Sequence, residues 1–163
     1  MTDIQPGFRF LVTLDPADAF VPQELLAVAL ELAPGAFQTA KGLGAELEVT
    51  GYPEGGVNDT LRQLPVRHSW QRITLSKGIA RGAVLWDWYA AGLHGALGAR
   101  RDGAIILQNR LGVPAIIWTF RAGLAARWSG PEFDAQQSGL AIETLEIAHE
   151  GIAQLSGPGL AGA

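Results

Sequence analysis

The chain has no cysteine, a single methionine and two tyrosines. The lack of cysteine excludes a disulfide framework and every thiolate metal site, and leaves the redox compartment open. Charge is also sparse: Asp, Glu, Lys and Arg make up 17% of residues, with a formal net charge of −4. An acidic balance suits the phosphate backbone poorly, so specific nucleic-acid binding is not expected. Long hydrophobic runs are missing too. Leu25 to Leu30, bounded by Glu24 and Glu31, falls far short of the roughly 20 residues that a spanning helix needs, so stable membrane insertion is not expected. The start, Met1-Thr2-Asp3-Ile4, lacks the basic residues and apolar core of a secretory signal, which predicts synthesis in the cytoplasm.

Apolar content of 48% over 163 residues is ample for one core, and a single domain is expected across 1–163. The stretch that organises the reading runs from Ala45 to Trp88. Ala45, Leu47 and Val49 alternate with Glu46, Glu48 and Thr50, the period of a strand with one buried face. Gly51-Tyr52-Pro53-Glu54-Gly55-Gly56-Val57-Asn58-Asp59 is rich in turn formers and should stop that strand. A further strand is expected over Trp70 to Lys77, with Ile73 and Leu75 on one side and Arg72, Thr74 and Ser76 on the other. Leu85, Trp86, Tyr89 and Leu93 then share one face of a helix that Gly92 and Gly95 weaken.

The connection Gly51–His68 is too long for a compact turn. Ordering backbone costs about 1–2 kcal/mol per residue, more than its few apolar side chains can offset. It must extend the two strands into a long hairpin, fold back on its own domain, or dock on a neighbouring copy.

Elsewhere, Phe8 to Leu14 alternates as a first strand, and Ala36 to Leu43 reads as another. Between them, Asp15 to Pro34 holds a short helix near 22–33, opened by Pro22 and stopped by Pro34-Gly35. Ala104–Leu107 and Ala115–Arg121 form a hairpin that Ala126-Arg127-Trp128 prolongs. Leu140 to His149 fits a helix grouping Ile142, Leu145 and Ala148, or a strand grouping Leu145, Ile147 and His149. The tail 156–163 is expected to be mobile. Short strands with one or two helices predict a mainly antiparallel sheet folded into a sandwich or barrel.

Sites for chemistry are scarce. His68, His94 and His149 have no metal-ligand spacing, and neither catalytic residues nor a cofactor site is expected. Gly55-Gly56 lacks the lysine of a phosphate loop, and no Gly-x-Ser-x-Gly elbow occurs. Glu143, Glu146 and Glu150 could face one another as a hydrolytic pair, but a solvated acidic face is commoner. Trp70, Trp86, Trp88, Trp118 and Trp128 could line the groove of a monomeric small-ligand barrel, although core packing is the simpler use.

Tyr52-Pro53-Glu54-Gly55-Gly56-Val57-Asn58, Leu64-Pro65, Ile73-Thr74-Leu75-Ser76-Lys77-Gly78, Leu85-Trp86-Asp87-Trp88 and the closing Ala141 to Gly151 resemble, in order and spacing over residues 36–152, the tail tube proteins of contractile phages and contractile injection systems. The resemblance implies a small antiparallel β-barrel or sandwich with one packed helix and a strand over Leu140 to His149. It further implies no enzymatic activity and rings of six copies that stack into a hollow tube. A contracting sheath drives that tube through a target envelope. Implied partners are further copies of the chain, sheath and baseplate proteins, and lumen cargo. Candidate interface and motif residues carried over are Tyr52, Glu54, Gly55, Gly56, Asn58, Leu64, Pro65, Trp86, Trp88, Glu143 and Glu146. The chain departs from the family pattern in the Asp15–Pro34 insertion and in Ser76, where a second basic residue is usual. The insertion leaves two layers open: repeating tube subunit, or an initiator at the baseplate end.

Overall fold

The computed structural model describes residues 9–14, 37–56, 59–79, 84–95, 99–134 and 139–157. The expected helix over 22–33 lies outside them. Chain order is β1 (Phe10–Leu14), β2 (Phe37–Lys41), β3 (Ala45–Pro53), β4 (Leu61–Trp70), β5 (Ile73–Gly78), α1 (Val84–Leu93), β6 (Arg101–Gln108), β7 (Pro114–Ser129), β8 (Ile142–Ala148) and β9 (Ile152–Ser156). All described strand pairings are antiparallel. Among the described residues the architecture is mainly β with one packed helix, in agreement with expectation.

Strand β7 is the spine. Its first part pairs with β6 and β9, with β1 beyond β6, and its last part pairs with β8, which continues to β5 and β2. The strand changes sheets at Arg121–Gly123. There Ala122 has φ 51°, and its N–H donates to Asp102 Oδ1 at 2.7 Å. A left-handed backbone at a residue with a Cβ costs about 1 kcal/mol. Ala122→Gly should therefore raise the unfolding free energy by about 0.5–1 kcal/mol, measured by urea denaturation, whereas Ala122→Val should lower it.

The core fills the space between the two sheets. Ile73 and Leu75 of β5, Leu145 and Ile147 of β8, Ile105 and Phe120 of the other sheet, and Leu85 and Trp88 of α1 are all buried. Their parity in β5 and β8 is the alternation read from sequence, and it decides that Leu140–His149 forms a strand. A smaller cluster of Ala104, Ile106 and Ile117 with Leu11 lies on the opposite face of the β1-β6-β7 sheet.

Four expectations change. The helix buries Leu85 and Trp88, while Trp86 and Leu93 stand exposed. Trp88 wins the core position because its indole N–H donates to the Ala99 carbonyl at 2.6 Å and Arg101 covers its ring at 5.6 Å. The expected strand Trp70–Lys77 is interrupted at Gln71-Arg72, so Trp70 closes β4. Leu61–His68, part of a connection with three open fates, is strand, because Pro65 sits beside a bulge that spares the ladder its missing donor. Finally, β9 was not anticipated: Ile152–Ser156 pairs with β7, and Gly157 N–H donates to the Ala115 carbonyl at 2.7 Å.

Candidate subunit interface

The hairpin β3–β4 forms a sheet of its own, and every residue of both strands is exposed. Of the three fates open to Gly51–His68, the protomer adopts the long hairpin and does not fold it back on the body. Residues opposite each other in an antiparallel ladder share a face. Register therefore places Ala45, Leu47, Val49, Gly51, Pro53, Leu61, Gln63, Pro65, His68 and Trp70 on one, mainly apolar, side, with Glu46, Glu48, Thr50, Tyr52, Arg62, Leu64, Arg67 and Ser69 on the other. The apolar face predicted for β3 exists, but beyond Trp70 at the root its residues are left exposed.

The root is fixed firmly. Gly42 has φ +87°, and a Cβ there would lie 1.9 Å from the Arg72 carbonyl oxygen, so only glycine lets the chain turn this close to β5. Gln71 N–H donates to Gly44 O at 3.0 Å, and His149 Nε2 lies 2.9 Å from Gln71 O. Trp70 packs its ring 5.0 Å from His68 and 6.0 Å from His149. At the tip, Arg62 and Glu54 form an ion pair of 2.6 Å between exposed side chains, worth at most about 1 kcal/mol.

The sequence-derived candidates separate into several places. Tyr52, Glu54, Gly55, Gly56, Leu64 and Pro65 lie on the hairpin or its turn; Asn58 is outside the described residues. Trp86 stands on the outer surface of α1, its ring 4.8 Å from Trp128. Trp88 and Glu143 are core residues.

Glu143 is not part of a solvated acidic face. Lys77 and Glu143 face each other across β5 and β8, 3.4 Å apart, with side chains only 7% exposed each. The Trp128 indole N–H donates to the same carboxylate at 3.1 Å. Glu146, three residues on in the strand, points to the opposite face, where it lies 3.5 Å from Arg72 and 3.6 Å from Arg127. Glu150 pairs with Arg100. The three carboxylates therefore cannot form a hydrolytic pair.

The tryptophans do not share one groove either. Trp70 stacks with histidines, Trp86 with Trp128 and Tyr89, Trp88 lies under Arg101, and the Trp118 indole N–H donates to Gln154 at 3.1 Å. Among the described residues no three His, Asp or Glu side chains are grouped to hold a metal, and no helix is long and apolar enough to cross a membrane.

Sequence reasoning missed the Lys77–Glu143 pair, although the signal was present. Lys77 has the parity of Ile73 and Leu75, and Glu143 that of Leu145 and Ile147, so both point inward. It also missed Leu61 and Trp70 as part of the apolar hairpin face, because only the register aligns them with Leu47 and Val49.

The family model described as T4-like virus tail tube protein gp19 matches residues 6–153. No curated protein is similar enough in sequence to match. Among solved structures, a chain of the anti-feeding prophage baseplate, 6-fold symmetrised, shares 25% identity at TM-score 0.76, over 96% of this chain and 98% of that one. A chain of the PVC extracellular contractile injection system sheath–tube complex shares 20% identity at TM-score 0.72, over 95% and 93%. A chain of the anti-feeding prophage tube-terminating cap shares 22% at TM-score 0.72, over 96% and 93%.

Proposed function

Because the chain belongs to the T4-like virus tail tube protein family, we propose that it is an inner-tube subunit of a contractile injection system or contractile phage tail, six copies closing a ring and rings stacking into a tube. It is a structural protein rather than an enzyme, as its family is. The observation that carries the reading is the wholly exposed hairpin with one apolar face. An isolated two-stranded hairpin is marginal in water, and one with Leu47, Val49 and Leu61 bare to solvent needs a second surface to hold it. Identical copies provide that surface, as the six-fold baseplate relative suggests.

The sheet edges add to this. The outer edges of β1, β2 and β9 carry no strand partner among the described residues, which offers ladders through which subunits can close a ring. Sheath and baseplate proteins of the same particle are the outer partners of such a tube. The mechanism is mechanical: no bond is made or broken, and the work is carried by interfaces stiff enough to transmit a push.

Negative-stain microscopy of the purified protein tests the reading. Long tubes identify the repeating subunit, single rings identify an initiator layer, and a monodisperse monomer at high concentration would sink both. Tyr52→Ala with Glu54→Ala, which removes the Tyr52 side chain and the tip ion pair, should weaken stacking about tenfold. The melting temperature of the dissociated protomer should stay within about 2 °C, since surface changes are worth under roughly 0.5 kcal/mol each. Equal losses in both measurements would make the hairpin tip a part of the protomer core.

A further inference from the structure

Two connections cross the same end of the body. β1 ends at Leu14, which pairs with Gly103 near the start of β6, and β2 begins at Phe37, which pairs with Lys77 near the end of β5. The chain 15–36 therefore leaves from the β1–β6 side and arrives on the β5–β2 side. The connection 79–100, which carries α1, runs the other way, from β5 to β6. Paired strands lie about 4.8 Å apart, so each root of 15–36 stands one strand spacing from a root of the α1 connection. The topology places the two connections side by side and antiparallel.

α1 has a face suited to such a neighbour. Trp86, Ala90 and Leu93 recur at i, i+4 and i+7, turned away from the buried Leu85 and Trp88. Trp86 is 41% and Leu93 62% exposed, with Ala90 half-buried between them. The rings of Tyr89 and Trp128 flank Trp86 at 6.0 and 4.8 Å. The sequence over 22–33 reads as helix, and helical spacing groups Leu25, Ala29 and Leu32 on one face, with Leu26 beside them and Gln23, Glu24 and Glu31 opposite. That stripe repeats the spacing of the one on α1. Each has alanine at its centre, which lets two helix axes approach to the roughly 8–10 Å of close packing. Lengths agree as well: at 1.5 Å per residue, a helix over 22–33 is about 18 Å long and the ten residues of α1 about 15 Å. A helix so short is marginal alone in water, and draws its stability from a packed apolar face.

We propose that the 15–36 segment lays its Leu25–Ala29–Leu32 face on the Trp86–Ala90–Leu93 face of α1 in the same protomer, making an antiparallel helix pair across this end of the body. The assignment gives a role to the insertion by which the chain departs from the family pattern. It also makes the aromatic surface of α1 an internal contact rather than a seat for a sheath protein. It is a property of the single protomer and does not depend on assembly.

The absence of cysteine makes the test direct. The full-length Ala29→Cys/Ala90→Cys variant, dissociated and dilute, is treated with a short bismaleimide. Most molecules should carry an intrachain 29–90 link, read by mass spectrometry of the digest. Ala29→Cys/Thr50→Cys, with its second thiol on the exposed hairpin, should give none. Links only between chains would make a second copy the occupant of α1, and links equally frequent to 50 and to 90 would mark a segment without a fixed seat; either result, or no link at all, overturns the assignment. As a second arm, Leu25→Asp with Leu32→Asp should lower the protomer melting temperature by about 5 °C. An unchanged melting temperature overturns the docking, since charges added to a segment surrounded by water disturb nothing. None of these failures touches the tube reading, which rests on assembly of the unsubstituted chain.

Discussion

Lys77→Met is expected to lower the unfolding free energy of the dissociated protomer by about 3–5 kcal/mol, seen as a fall of about 10 °C in melting temperature. The change removes the cation that faces Glu143 at 3.4 Å and leaves a carboxylate only 7% exposed between β5 and β8. The Trp128 indole N–H at 3.1 Å cannot by itself replace a full charge. Most of the loss is the penalty of an unpaired buried ion rather than the intrinsic worth of the pair. The double variant Lys77→Met/Glu143→Gln should therefore recover most of it, since glutamine keeps an oxygen for Trp128 and no longer carries charge. A double variant no more stable than Lys77→Met alone would show that the pair is itself a net source of stability. Chemical denaturation followed by circular dichroism separates the two outcomes.

The second large effect concerns assembly. Leu47→Asp combined with Val49→Asp is expected to weaken association at least about 100-fold, read from the threshold concentration for tubes or rings. Both side chains are about half exposed in the protomer, so covering them contributes about 1 kcal/mol each, and replacing them adds the larger cost of desolvating two carboxylates. The melting temperature of the protomer should hardly move, because neither residue touches the core. The same charges on the other face, through Thr50→Asp, should have a far smaller effect on assembly. A parallel drop in protomer stability and assembly would contradict the assignment of this face to a partner.

These two expectations draw on residues that the sequence announces very differently. Leu47 and Val49 alternate with charged neighbours plainly enough to mark a strand face, but alternation says only that one side avoids water. Whether the protomer or a neighbour covers that side depends on where the hairpin projects. The β4 strand was hidden for a related reason. Leu61-Arg62-Gln63-Leu64-Pro65-Val66-Arg67-His68 carries no clean period and includes a proline, since a bulged strand exposed on both faces has no buried side to impose alternation. β9 escaped notice because it is five residues long and four of them are exposed. The helix face was misplaced by one position for want of knowing that an acceptor, the Ala99 carbonyl, awaited the Trp88 indole.

Local pattern alone sufficed for the class of the fold, the alternation of β5, the helix at Val84–Leu93 and the family resemblance, because each is recorded in contiguous residues whose spacing repeats a backbone period. The tertiary structure decided what no spacing records. It set Lys77 against Glu143, residues far apart in the chain, and it turned β7 from one sheet to the other at Ala122. It also carried the β3–β4 hairpin clear of the body with its apolar side uncovered. Those features depend on which distant strands become neighbours, and burial is a property of neighbours rather than of sequence.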